Sequence, residues 1–211
     1  MREPARLIDI SPKVTAALAV WPGDQPPVRE VALSFEGGDH LELSALKATV
    51  HLGAHADAPI HYHKDGEDIA GRDPSLYVGP AQVISVEVAR GERILPRHLD
   101  LSHIETPRVL LKTGTYPDPE AFNEDFASLS PELIDALAKV GVRLVGIDTP
   151  SVDLFADKEL KSHNAIYKND MAVLEGIILD EVADGPYWLM AAPLALAGFD
   201  ASPVRALLAE F

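Results

Sequence analysis

Residues 51–61, HLGAHADAPIH, place three histidines and an aspartate within eleven positions. Four of the chain's eight histidines fall between His51 and His63. Imidazole nitrogens and a carboxylate suit a divalent first-row metal, zinc above all. Two histidines and one aspartate supply three protein ligands and leave coordination positions open, the catalytic pattern and not the structural one. Such a metal lowers the pKa of a coordinated water to about 7 and polarises a carbonyl. The stretch therefore points to a catalytic divalent-metal site.

The backbone must bring these side chains to one side. His51 and His55 share a helical face, but Gly53 weakens a helix and Pro59 disfavours the α region at Ala58. An extended chain fits better. Odd positions then read His51, Gly53, His55, Asp57, Pro59 and His61; even positions read Leu52, Ala54, Ala56, Ala58 and Ile60. A period of two puts the ligands on one face and the aliphatic groups on the other. Gly53 leaves space between two imidazoles, and Pro59 ends or turns the strand before His61.

Around this stretch, AQVISVEV (81–88), RVLLKTG (108–114), VRLVGIDT (142–149) and YWLMAAPLAL (187–196) read as buried strands. SPELIDALAKVG predicts a helix with Ser130 as N-cap, Pro131 in the first turn and Gly141 as C-cap. ASPVRALLAEF repeats the Ser-Pro start as a short C-terminal helix, and residues 157–168 form a weaker helical segment. The first fifty residues carry strand-like pieces and the turn WPGDQPP. The expected class is α/β or α+β, as one domain over residues 1–211.

The formal charge is −15, from 18 Lys+Arg and 33 Asp+Glu. That balance argues against a phosphate backbone and disfavours an anionic membrane surface as partner. The absence of cysteine excludes disulfides, thiolate nucleophiles and Cys-bound zinc. MREPARLIDISP lacks the apolar run of a signal peptide, so the expected location is cytoplasmic. No G-x-S-x-G elbow is present, which argues against a serine esterase route.

HLGAHADAPIH resembles the HxGTHxDxPxH signature of the cyclase-type metal-dependent hydrolases, with Ala54 where many members carry threonine. DISP, VWPGD, HADAPIHY, GPAQVISV, LLKTG, GIDTPSVD, LEGIILDEV and PVRALL extend the resemblance to the formamidase branch over nearly the whole chain. The resemblance implies a swivelling β/α/β domain with a central barrel-like mixed sheet and flanking helices. It also implies two Zn2+ per subunit. His51 and His55 would hold one ion, Asp57 would bridge, and His163 and Glu175 would hold the second. His61 would move the proton, and Trp21 would lie against an aromatic substrate. The implied reaction is hydrolysis of N-formyl-L-kynurenine to L-kynurenine and formate, by a homodimer. By themselves, a histidine and a glutamate twelve residues apart carry no signal. His63 falls outside the pattern and is expected on the surface. Asp148 and Asp153 are either supports behind the ligands or loop caps.

Two other chemistries share these residues. An isatin hydrolase of the same family would open a cyclic amide. A non-haem iron oxygenase would use two histidines and one carboxylate, leaving His51 and His61 surplus.

Overall fold

The computed structural model describes residues 3–211. In chain order the strands are β1 (Arg6–Asp9), β2 (Val28–Leu33), β3 (Leu43–Lys47), β4 (His55–Asp57), β5 (Val78–Ser85), β6 (Arg93–Ile94), β7 (Arg108–Lys112), β8 (Ser128–Leu129), β9 (Leu144–Ile147), β10 (Ala172–Leu174), β11 (Gly185–Met190), β12 (Ala201–Pro203) and β13 (Leu207–Glu210). Helix α1 (Pro131–Lys139) precedes β9, and α2 (Lys161–Lys168) precedes β10. Seven strands form one mixed sheet in the order β1-β13-β11-β5-β7-β9-β10. The half from β5 to β10 is parallel, and the half from β1 to β5 is antiparallel. A mixed sheet with few helices is what the sequence predicts.

The parallel half is apolar on both faces because both are covered. Leu110, Leu144 and Leu174 join one buried cluster; Val109, Leu111, Val145, Ile147 and Val173 join the other. The second cluster contains Leu133, Ile134 and Leu137 of α1 and Ile166 of α2. The first receives Ala54, Ala56 and Ala58 from the ligand stretch. That stretch thus lies across the sheet face opposite the helices.

Helix α1 forms as predicted: the Ser130 side chain accepts from the Leu133 amide, and Pro131 stands at the first position. The segment 157–168 is helical only over Lys161–Lys168. The predicted C-terminal helix is instead β12 and β13. Strand β13 pairs with β1 on one side and β11 on the other, burying Leu208 and Ala209. Ser202 is fully buried, and its hydroxyl bonds Leu194 N and Pro203 O rather than capping a helix. Sheet pairing on both sides outweighs a helix-start signal. The strand predicted over 187–196 runs from Gly185 and ends at Met190.

Candidate metal centre

Only His55–Asp57 of the ligand stretch is a strand; Pro59–His61 is a turn of 3-10 helix. The period of two holds over Ala54–Ala58, where the alanines enter the core and His55 and Asp57 face away from them. It fails at both ends. Ile60 is 40% exposed, because Pro59 starts the helical turn. Gly53 has φ +55, the left-handed region, and is not extended. It does not hold two imidazoles apart: a side chain there would meet Pro12 and Leu18. Its carbonyl accepts from His55 Nδ1 at 2.8 Å. That bond leaves His55 Nε2 bare toward the carboxylates.

Strand β10 delivers Glu175. His55 and Glu175 exchange backbone hydrogen bonds of 3.1 and 2.9 Å, so the two side chains rise side by side. The next residue, Gly176, has φ +64, and a Cβ there would stand 2.3 Å from the Gly53 carbonyl. Gly176→Ala is therefore expected to cost at least about 1–3 kcal/mol from backbone strain alone. Urea denaturation of the two proteins measures it, and equal midpoints would refute this account of the packing.

Helix α2 delivers His163. Asp153 accepts from the amides of Ser162 and His163, the work of an N-cap, and from His163 Nδ1 at 2.9 Å. Arg93 Nη1 in turn donates to Asp153 at 3.0 Å, to Ser162 Oγ and to Leu129 O. His163 Nε2 is thereby aimed at Asp57 Oδ2, 3.3 Å away, and Glu175 Oε1, 3.5 Å away.

Asp57 is the meeting point. Its Oδ1 lies 3.0 Å from His51 Nδ1 and 3.4 Å from His55 Nε2, while Oδ2 faces His163. Glu175 Oε2 lies 3.2 Å from His55 Nε2, and Glu175 Oε1 accepts from Val152 N at 2.7 Å. Asp57, His55, His163 and Glu175 are each at most 3% exposed.

Burial opposes charge on His51, Asp57, His163 and Glu175, yet their attraction to neighbouring charges outweighs it. Burial lowers the His51 pKa, but Asp57 and Asp200 drive it up to about 10. Burial also opposes the His163 cation, but Asp153, Asp57 and Glu175 hold its pKa well above the ordinary value. Asp57 resists burial through His51 and His163 and lies well below the carboxylate range. Glu175, raised by burial and by Asp57, is held down by His163 and His55. Two buried carboxylates thus call for positive charge between them.

The donor set fits a divalent metal. Asp57 Oδ1 is buried without a hydrogen bond, although His51 Nδ1 is within 3.0 Å. The two atoms are close without forming a hydrogen bond. Among the described residues, two groups have ligand atoms within 4.8 Å of one another: His51, Asp57 and His61, and His55, Asp57 and Glu175. Asp57 belongs to both. This grouping sorts His51 with His61, whereas the resemblance pairs His51 with His55. Three histidines and two carboxylates around one locus also exceed a single 2-His-1-carboxylate triad.

The cluster lies on a cavity of about 430 Å³, which Trp21, Tyr116, Phe122, Phe155 and Ile177 also line. The Trp21 ring is 4.9 Å from Phe155 and 5.6 Å from Phe122. His61 is exposed at the rim. His63 is half-buried, not free on the surface, because it stacks on Tyr167 at 3.9 Å. Asp148 accepts from Thr113 N, Thr113 Oγ1 and Gly114 N; it ties a loop beside the cavity. Sequence reasoning left Asp153 undecided and missed Asp200 and Arg93. Asp200, 139 residues from His61, carried no local signal.

A family model described as "Putative cyclase" matches residues 8–154. The chain belongs to this cyclase family. It is 41% identical over 202 residues to a kynurenine formamidase of Bacillus cereus, covering 95% of this chain and 96% of that one. Identity to a kynurenine formamidase of Bordetella petrii is 43% over 206 residues, covering 97% and 98%. A solved structure titled a potential metal-dependent hydrolase with cyclase activity superposes with TM-score 0.82 at 25% identity, covering 98% of both chains. Isatin hydrolase A of Labrenzia aggregata superposes with TM-score 0.83 at 21% identity, covering 97% and 93%; this likeness is one of fold.

Proposed function

We propose that this cyclase-family protein is a metal-dependent amidohydrolase that converts N-formyl-L-kynurenine to L-kynurenine and formate, a step of tryptophan degradation. The observation that carries the reading is Asp57, buried, with imidazoles at both carboxylate oxygens, held among His51, His55, His163 and Glu175, which line an aromatic cavity. Nearly full-length similarity to two kynurenine formamidases selects the substrate. His51, His55, Asp57, His163 and Glu175 would hold two Zn2+ per subunit, with Asp57 as the bridge. Bound there, zinc supplies Lewis acidity, making a water more acidic and a carbonyl more electrophilic.

The chain's own residues do the rest. Trp21 and Phe155 offer flat faces to the aryl ring and place the formamide over the cluster. His61, at the rim, accepts the proton of the attacking water as the new C–O bond forms. It returns the proton to the aryl nitrogen as the C–N bond breaks. The products are formate and the free arylamine.

The test is kcat/KM of zinc-loaded protein for N-formylkynurenine beside isatin. Preference for N-formylkynurenine is expected; equal or higher efficiency on isatin would overturn the substrate assignment. Trp21→Ala should raise KM for the formamide about 2–10-fold at unchanged metal content, from an aromatic contact of about 0.5–1.5 kcal/mol. An unchanged KM would remove Trp21 from the substrate site.

We read residues 1–211 as one domain, because β1 and β13 join the two ends of the chain in the central sheet; two separate unfolding transitions would contradict that. We read the assembly as a homodimer. The apolar strand β11 lends it little, since β11 pairs on both sides within the sheet. The hairpin β2–β3 lends more: Val28, Val31, Leu43 and Leu46 are 41–63% exposed, and a lone two-stranded hairpin is marginal in water. Light scattering should give twice the chain mass at micromolar concentration; the mass of one chain would refute the dimer. We place the protein in the cytoplasm, a location that its cysteine-free composition fits without proving and that cell fractionation checks. Among the described residues, no helix is long and apolar enough to cross a membrane.

A further inference from the structure

The two histidines at the open side of the centre, His51 and His61, come from opposite ends of the ligand stretch. Their ring centroids are only 4.2 Å apart. Between them stands one carboxylate oxygen, Asp200 Oδ2, 3.0 Å from His51 Nε2 and 3.4 Å from His61 Nδ1. A contact whose carboxylate is half open to water adds little to stability. Its value lies elsewhere, in which nitrogen of each ring it occupies.

We infer that Asp200 is a positioning residue that sets the tautomer and the orientation of His51 and His61 together. A carboxylate only accepts, so each ring must present an N–H to it. With a metal bound, His51 then carries its one proton on Nε2 and leaves Nδ1 bare on the side of Asp57 Oδ1, which stands 3.0 Å away. His61 carries its proton on Nδ1 and leaves Nε2 bare as a base. Without that acceptor, either ring can flip about its Cβ–Cγ bond and exchange carbon for nitrogen.

The backbone holds Asp200 for this task. Strand β12 pairs with β4 so that Ala201 faces Asp57, and Ala58 N donates to Asp200 O at 2.8 Å. The preceding loop is tied to the 68–71 turn: Asp68 accepts from Gly198 N at 2.6 Å, and Ile69 N donates to Phe199 O at 3.0 Å. The strand that carries His55 and Asp57 thus also fixes the residue that orients His51 and His61. Asp153 does the corresponding work for His163, and the Gly53 carbonyl does it for His55. With Asp200, each histidine of the cluster has an acceptor behind it, the arrangement that orients metal-bound imidazoles.

The inference rests on the metal-hydrolase reading but not on the identity of the substrate. The test is nitrogen-15 NMR of the histidine rings in the zinc-loaded protein, with zinc affinity measured by chelator competition. In the wild type, His51 Nε2–H and His61 Nδ1–H should appear as protected ring protons. In Asp200→Ala both should exchange with water, and zinc affinity should fall about 10–100-fold. Asp200→Asn keeps an accepting oxygen and should restore both readouts to within a few-fold of wild type. Wild-type ring signals and affinity in Asp200→Ala would overturn the inference. So would an Asp200→Asn protein as defective as Asp200→Ala. Neither readout uses a substrate, so failure on N-formylkynurenine would leave this result standing.

Discussion

Asp57→Ala is expected to empty the centre of both metal equivalents. Asp57 is the residue common to the two candidate ligand groups, and each of its oxygens faces an imidazole. Removing a terminal ligand weakens one ion; removing the bridge weakens both. Metal analysis of protein purified without chelator should fall from about two zinc per chain to well below one. Glu175→Ala should retain about one. Activity of Asp57→Ala should fall by at least about 10³-fold, beyond the 10–100-fold typical of groups behind the ligands. An Asp57→Ala protein that keeps two zinc ions would refute the bridge. A Glu175→Ala protein with undiminished metal would refute the second ion.

The same carboxylates govern how metal enters. In the metal-free protein, Asp57 and Asp200 hold His51 at about 10, and His163 also lies above its ordinary value. His51 therefore holds its second proton at neutral pH. For folding, a raised histidine pKa contributes stability that is full below the unfolded value, 6.5 for His51, and is lost as pH rises through about 10. For zinc, the sign is opposite. The proton is a competitor, so zinc affinity climbs as pH rises, and binding releases protons. The centre trades one kind of positive charge for another, which is why so many buried groups coexist without destroying the fold.

How much of this was legible depended on the range of the interaction. The alternation through Ala54–Ala58 was readable because a strand's period of two is local and the core demanded alanines. Ser130 and Pro131 announced α1 for the same reason. The Ser-Pro start at Ser202 misled because β13 is fixed by partners from both ends of the chain, not by its own residues. Gly53 misled because a glycine signals an unusual backbone or a close approach without saying which. His163 and Glu175 carried no signal of their own. They meet Asp57 only because parallel strands and a crossover helix return the chain to the same sheet edge, and family resemblance was the sole guide. Asp200 escaped both routes, since β12 brings it back from the far end of the chain.

His61→Ala should separate proton transfer from ligation. The case is open to measurement because His61 belongs to a candidate ligand group with His51 and Asp57, yet it differs from His55 and His163 in exposure and in the element that carries it. It is exposed at the cavity rim, whereas His55 and His163 are at most 3% exposed. It lies on a 3-10 turn beyond the strand, with one carboxylate, Asp200, behind it. A group that exchanges protons with water must reach water, whereas a ligand gains from being sealed. Losing a general acid–base group typically costs about 10²–10⁴-fold in rate. The expected variant therefore keeps about two zinc ions, keeps its KM within a few-fold, and loses kcat by that factor. The leaving group gives a second reading. An aryl formamide whose amine departs readily without a proton should lose much less on His61→Ala than one whose amine departs poorly. Metal loss in step with activity would make His61 a ligand and leave the proton to another group.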